Sequence, residues 1–330
     1  MPVREPELSA TPEELNKITM LDAVRMATRD AAGIKALGLP VRNLVLGDWF
    51  KEGDLGFIYA PRGIGKTWLS LAINSAVANG QRLGPWQAHG VWPVCYLDGE
   101  MAMDDMLSRM DGMNAGHNFS VLNHEALFHL SGKVLNIADP VTQQALTDHC
   151  LEKGFRVLVL DNLSCLASGM EENKADAWEA VLGWLLTLRR HKIAVIMVHH
   201  AGRNGEMRGT SKREDSAFWV LRLDAVADEK SGSEKQTQFI SRFTKERNSG
   251  KPQTPIEWTF QTGADGLTRV SYKRVGQIEI FRQWVANGLT SATDIANEMG
   301  VTKGTVSKWA KDGVLEGWLD NKKGKYTLVS

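Results

Sequence analysis

The stretch LGFIYAPRGIGKTWLSLAINSAVAN, Leu55–Asn79, decides the fold. Its first six residues, Leu55–Ala60, form a short apolar run of the kind a strand covered on both faces requires. From Lys66 onward, Leu69, Ile73 and Val77 recur at i, i+4 and i+8, which predicts a helix over Lys66–Asn79. Between strand and helix lies APRGIGKT, Ala60–Thr67. Gly63 and Gly65 let the backbone close around phosphate oxygens, and the helix N-terminus adds a favourable field. Lys66 is placed to bridge the β- and γ-phosphates, and Thr67 to ligate Mg²⁺. Ala60, Pro61, Arg62, Gly63, Ile64, Gly65, Lys66, Thr67 and Trp68 therefore read as one phosphate-binding segment. Ala60 stands where such a loop usually has its first glycine. The order strand, glycine turn, lysine, hydroxyl, helix implies a nucleoside-triphosphate site.

Outward from this segment, Val91–Asp98, Phe155–Asp161 and Lys192–His200 read as further strands, alternating with helices at 101–110 and Ala175–Arg190. That alternation predicts an α/β fold: a mostly parallel sheet, helices on both faces and ligands at the carboxyl ends of the strands. Strands at 219–226 and 238–248 follow, then a hairpin of Ile256–Phe260 and Thr268–Tyr272 around Gly263–Gly266. Asp161 closes its strand where a carboxylate holds Mg²⁺ through water. Asn162 follows it, so the acid that activates water must come from elsewhere. Glu100, in YLDGEM, is the candidate; Asp98 competes with it, and a helix-N-terminal role is the plainer alternative for Glu100. His199 and His200 end the next strand, one placed to sense the γ-phosphate and the other to be buried and structural.

The formal net charge is zero, with 39 basic and 39 acidic residues, which argues against a strongly basic polymer-binding protein but not against a local basic loop. A hydrophobic share of 43% with 24% charged residues excludes a disordered or collagenous chain. Cys95, Cys150 and Cys165 have neither paired nor metal-like spacing and read as reduced core residues of a cytoplasmic protein. The 11 tryptophans are many for this length, and since Trp is seldom fully buried, some are expected at subunit contacts. The first residues contain no apolar signal region, and no window approaches the length of a membrane span. The pattern divides the chain into an arm and helix (1–40), the α/β domain (41–275) and a C-terminal domain (276–330).

With these motifs in place, residues 43–272 resemble a RecA-type ATPase of the hexameric replicative-helicase group, most closely the plasmid RepA-like helicases and more distantly the DnaB-type ATPase domain. The segments that carry the resemblance are NLVLGDWFKEGDLGFIYAPRGIGKTWLSLAIN, YLDGEM, VLVLDNLSCL, VIMVHH and FTKERNSG. It implies a RecA-like core, ATP as substrate with Mg²⁺, Glu100 as the catalytic base, Asp161 at the metal and His200 as the sensor. It implies polymer contacts from the 201–216 loop through Arg203, Arg208, Lys212 and Arg213, with single-stranded DNA as partner. It also implies that Lys245 and Arg247 reach a neighbouring subunit's γ-phosphate, with Arg208 and Arg213 as rivals, in a homo-oligomeric, hexameric ring. The expected function is an ATP-dependent DNA helicase or DNA-stimulated ATPase of plasmid, phage or mobile-element replication. The alternative is an ATP-gated DNA-binding or helicase-loading factor that does not unwind.

Beyond Gly276, a helix at Ile278–Gly288 is followed by Ser291 with Asp294 three later, a near capping box, then Gly300 and a second helix in VTKGTVSKWAKDG. This is helix-turn-helix spacing. Val314–Trp318 and Lys325–Val329 are expected to flank NKKG as a wing-like hairpin, completing a small winged-helix domain. Lys303, Lys308 and Lys311, with Lys322 and Lys323 on the wing, are its candidate contacts to duplex DNA. With seven basic and six acidic residues over 276–330, the charge is only +1, so docking to a replication protein remains a second use for this domain.

Overall fold

The computed structural model describes residues 18–39, 41–167, 175–202, 211–226 and 236–329. The chain divides into two compact units, residues 1–43 and 44–330. In the first, the one helix expected within residues 1–40 is two short ones, Met20–Ala27 and Ala31–Ala36, because Asp30 caps a second start by accepting the Gly33 N–H. Neither helix buries a residue.

The second unit contains strands β1 (Leu44–Leu46), β2 (Phe50–Lys51), β3 (Leu55–Ala60), β4 (Arg82–Leu83), β5 (Trp86–Gln87), β6 (Val94–Asp98) and β7 (Phe119–Asn123). It continues with β8 (Val157–Asp161), β9 (Ala194–His200), β10 (Trp219–Ala225), β11 (Gln236–Glu246), β12 (Ile256–Thr262), β13 (Thr268–Arg274), β14 (Leu319–Lys322) and β15 (Lys325–Leu328). Nine of them form one sheet in the order β13-β12-β11-β10-β3-β9-β8-β6-β7. From β10 to β7 every pairing is parallel, and β11 to β13 extend the sheet antiparallel. The α/β class with a mostly parallel sheet is as the sequence implied.

Strand starts follow local chemistry. β6 begins at Val94 rather than Val91, directly after Pro93, which has no N–H to give a ladder. β9 begins after Lys192, whose φ of 59° breaks the extended run.

Helices cover both faces, which is why the central strands read as unbroken apolar runs. Ile58, Ala60, Val157, Val159, Ile196 and Val198 join the core on one face, where the helix Lys66–Asn79 packs. Leu55, Phe57, Leu158, Leu160, Val195 and Met197 join the other, under Ala175–Arg190.

Tryptophan contributes much of the core here. None of the 11 is exposed, and Trp49, Trp178, Trp219 and Trp258 are fully buried. Trp49 meets Trp86 at 5.0 Å and Trp219 at 4.8 Å, edge to face, so the aromatic payload sits between β2, β5 and β10. Gly56 makes room for it, since a Cβ there would lie 2.1 Å from the Trp219 indole. Of the cysteines, Cys95 and Cys150 are buried as expected, but Cys165 is exposed, because the short helix Leu163–Leu166 turns Leu163 and Leu166 inward instead.

Residues 277–328 form helices Gln277–Ala286, Ala292–Met299 and Lys303–Leu315 and the hairpin β14–β15. Ser291 caps its helix through the Asp294 N–H, and Gly300 ends it at φ 64°. The expected strand at Val314–Trp318 is not one. The helix runs on to Leu315, Gly317 turns at φ 80°, and the strand starts at Leu319. The core of this segment also takes in Ile240 and Val275 from the sheet side. Glu298 accepts from Arg222 (2.7 Å) and Arg242 (3.3 Å), which also share Asp224.

Candidate nucleotide site

Ala60 ends β3 beside His200 of β9, and the Ala201 N–H donates to the Ala60 carbonyl. The loop therefore leaves the sheet at the carboxyl ends of two central strands. Gly63 (φ 81°) and Gly65 (φ 112°) take left-handed conformations that favour glycine. A side chain at Gly63 would point into open space, whereas one at Gly65 would strike Phe239 at 2.6 Å. Pro61, Arg62 and Gly63 are exposed, Ile64, Gly65, Thr67 and Trp68 half-buried, and Lys66 buried. The Lys66 ammonium donates to the carbonyls of Pro61 (2.9 Å) and Ala60 (3.3 Å). Burial lowers its pKa, opposed by the charges of Asp161 and Glu100.

Beside the loop lies a cavity of about 430 Å³, lined by Lys66, Thr67, Asp161, Glu100, His200 and Arg109 among others. Asp161 is buried at the end of β8, where burial pushes its carboxyl up to about 6. Hydrogen bonds from Tyr96 Oη (2.5 Å) and Thr67 oppose that rise. A hydroxyl and a carboxylate side by side, with cavity space before them, suit a hard cation that keeps several waters. Those residues fit Mg²⁺.

Glu100, exposed at the cavity mouth, accepts a close hydrogen bond from Asn162 Nδ2. His200 Nε2 lies 3.3 Å from that amide and 3.8 Å from Glu100 Oε2. Asp98 is committed elsewhere: Oδ1 accepts the N–H groups of Glu100 and Met101, and Oδ2 accepts from Asn123. Of the two histidines, His199 is fully buried, while His200 faces the cavity.

Lys245 and Arg247 lie away from this cavity. Lys245 sits opposite Val220, itself level with Phe57, and its ammonium donates to the Glu214 carbonyl. The Arg247 N–H donates to Phe218 O, and the Phe218 N–H to Leu55 O. Arg247 is therefore level with the start of β3, while the loop leaves from its end, roughly 16 Å away at about 3.3 Å per residue. Burial and the nearby Arg247 charge lower the Lys245 pKa. The Arg247 side chain is exposed, and the adjacent Glu246 accepts from Ser249 and the Asn248 N–H.

Arg203 and Arg208 lie outside the described residues. Lys212 and Arg213 fall on the helix Ser211–Ser216, where only the backbone is described. Lys303, Lys308, Lys311, Lys322 and Lys323 are all exposed, and Lys322 pairs with Asp320 at 2.8 Å. Lys303 and Lys311 line a groove with Asn321 and Gly324 of the hairpin.

Sequence reasoning missed Asp105, Arg109 and Thr237 at the cavity, and Tyr96, which is buried behind it and donates to Asp161. Only Asp105 and Arg109 left a trace, an i, i+4 pair on the helix that follows Glu100.

A buried lysine on a glycine loop between strand and helix, with a hydroxyl and a carboxylate beside it, defines a P-loop nucleotide-binding ATPase. The chain belongs to the AAA domain family, which matches residues 21–206. A KaiC-like protein of the archaeon Pyrococcus horikoshii OT3 is similar over 67% of this chain and 91% of its own, at 17% identity and a TM-score of 0.46. The flagellar accessory protein FlaH of Methanocaldococcus jannaschii is similar over 74% of this chain and 97% of its own, at 12% identity and a TM-score of 0.45. Among the described residues, no helix is long and apolar enough to cross a membrane.

Proposed function

We propose that this ATPase is completed between subunits, as a DNA-stimulated, RecA-like motor of the RepA/DnaB helicase type. The supporting observation is the placement of Lys66 and Arg247 toward opposite ends of β3. An arginine side chain does not span that separation, so any γ-phosphate contact by Arg247 comes from a second copy.

Within one chain, the P-loop amides and Lys66 hold the triphosphate, with Lys66 exchanging the Ala60 and Pro61 carbonyls for phosphate oxygens. Thr67 and Asp161 would hold Mg²⁺, which would supply charge neutralisation to the triphosphate. Glu100 takes the proton of the attacking water, and Asn162 orients the Glu100 carboxylate. His200, in reach of both, senses the γ-phosphate and passes its state to the 201–216 loop, where single-stranded DNA binds. The partner copy brings Arg247 and Lys245 to the developing negative charge. The residues from 276 onward form a winged-helix-like module for duplex DNA or a protein.

Mixing Lys66→Ala protein with Arg247→Ala protein tests this. Each alone is inactive. After verified subunit exchange, phosphate release recovers in part, because some interfaces pair an intact loop with an intact finger. Absence of recovery, or full activity of R247A alone, refutes the trans assignment. The groove between the helix Lys303–Leu315 and the hairpin favours a second reading, an ATP-gated DNA-binding or loading factor. A strand-displacement assay separates the two, since only the motor unwinds.

A further inference from the structure

Tyr96 is a buried titratable group that the mechanism above leaves unused. It lies on β6 opposite Val159 of β8, so Asp161 stands two residues further along the neighbouring strand. Side chains two apart on a strand share a face, and Val94, Tyr96, Val157 and Val159 all join the core on the side of the helix Lys66–Asn79. The Tyr96 ring is fully buried and stacked on Phe119, ring centroids 5.7 Å apart, and its Oη donates to Asp161 Oδ2 at 2.5 Å. Thr67, at the cavity, hydrogen-bonds the same carboxylate, so Asp161 is held between a hydroxyl behind it and one in front. Asp161 lines the cavity and Tyr96 does not, so the bond from Tyr96 draws Oδ2 toward the core and leaves Oδ1 for the cavity.

Resting on the ATPase reading above, we propose that Tyr96 is a positioning residue that sets the cation preference of the nucleotide site. The phenol occupies one oxygen and fixes the plane of the carboxylate, so Asp161 offers the cavity a single oxygen. One oxygen suffices for a small cation that keeps several of its waters, as Mg²⁺ does. Ca²⁺ is larger and takes carboxylates by both oxygens as readily as by one. A donor behind Asp161 therefore discriminates against Ca²⁺ without touching either ion. Solvent cannot replace that donor, because the site of the bond is closed to water.

The test measures binding of the non-hydrolysable analogue adenylyl imidodiphosphate by calorimetry, with Mg²⁺ or with Ca²⁺, to wild-type protein and Tyr96→Phe. The substitution removes only Oη and keeps the ring on Phe119. The expected result is a rise of about 10-fold in the ratio of Ca²⁺-supported to Mg²⁺-supported affinity, on the scale of one hydrogen bond to a charged group. Phe119→Leu disturbs the same packing but leaves the hydroxyl on Asp161, and keeps the ratio within about 2-fold of wild type. Tyr96→para-aminophenylalanine retains a weaker donor and moves the ratio in the same direction by a smaller factor; it is assayed in place of Y96F if that variant does not fold. A wild-type ratio in Y96F, or in its replacement, overturns the proposal. An equal shift in F119L also overturns it, because Tyr96 then acts through packing alone. Wild-type protein that binds the analogue as well in EDTA as in Mg²⁺ refutes the metal site itself, which sets that failure apart.

Discussion

Glu298→Ala is the most informative structural perturbation. In the wild type one carboxylate oxygen takes hydrogens from both Arg222 (2.7 Å) and Arg242 (3.3 Å). The two guanidiniums are only 11% exposed, and each lies over the Trp284 ring, at 5.1 Å and 5.4 Å. Removing Glu298 leaves two largely buried cations with Asp224 as their remaining ion-pair partner among the described residues. Breaking a fully buried pair costs ~3–5 kcal/mol, and an exposed one ~0–1 kcal/mol. Glu298 is 29% exposed, so the expected loss lies between these limits, at about 2 kcal/mol. Urea titration by circular dichroism measures it as a fall in midpoint at constant slope. Asp265→Ala, which breaks the exposed Asp265–Arg269 pair, is the control and leaves the midpoint where it was. A Glu298→Ala midpoint no lower than that of Asp265→Ala refutes the reasoning. A second, earlier transition shows instead that residues 277–328 unfold by themselves, before the sheet.

Glu100→Gln is expected to keep nucleotide binding while slowing phosphate release by about 10²–10⁴-fold, the range of general-base help; an unchanged rate removes Glu100 from the mechanism. Tyr96→Phe takes a hydrogen-bond donor from Asp161, whose carboxyl at about 6 already lies above its ordinary 3.8. A raised carboxyl contributes stability that is fully present below about pH 4 and lost as pH rises through about 6, so the further rise in Y96F destabilises more at pH 8 than at pH 5. Melting curves at the two pH values check this, and equal losses contradict it. Gly65→Ala meets both φ 112° and the Phe239 ring, and is expected to cost about 2–4 kcal/mol, whereas Gly63→Ala, with open space around it, costs about 1 kcal/mol. Denaturant midpoints in the reverse order are inconsistent with this loop geometry.

The P-loop strand and helix were legible to the residue, because Leu55–Ala60 is apolar throughout and Gly65 and Gly80 bracket the helix. β7 went unread: FSVLN is an edge strand with Ser120 exposed, so it shows neither a continuous apolar run nor strict alternation. The helix Pro140–Lys153 was also missed, although Asp139 and Pro140 mark its start, because its buried face rests on only Leu146, Thr147 and Cys150. Asp161 and His200, each at the end of a strand the sequence marks, line the cavity. Tyr96 and Thr237 were not legible: strand pairing brings Thr237 to the cavity and Tyr96 to Asp161 behind it, and their own neighbours in sequence carry no sign of it. The depth of the tryptophan core was illegible for a related reason. A residue type rarely buried alone is buried readily when Trp49, Trp86, Trp219 and Trp258 cover one another.

The separation of Lys66 from Arg247 turns the arithmetic of activity into one of boundaries. If each finger serves its neighbour, a lone chain has no complete site, an open arc has one fewer than its number of chains, and a closed ring has one per chain. Turnover per chain then rises with concentration until rings close, and levels off there. Inactive chains added in excess interrupt runs of working boundaries, so poisoning follows the statistics of adjacent pairs rather than simple dilution.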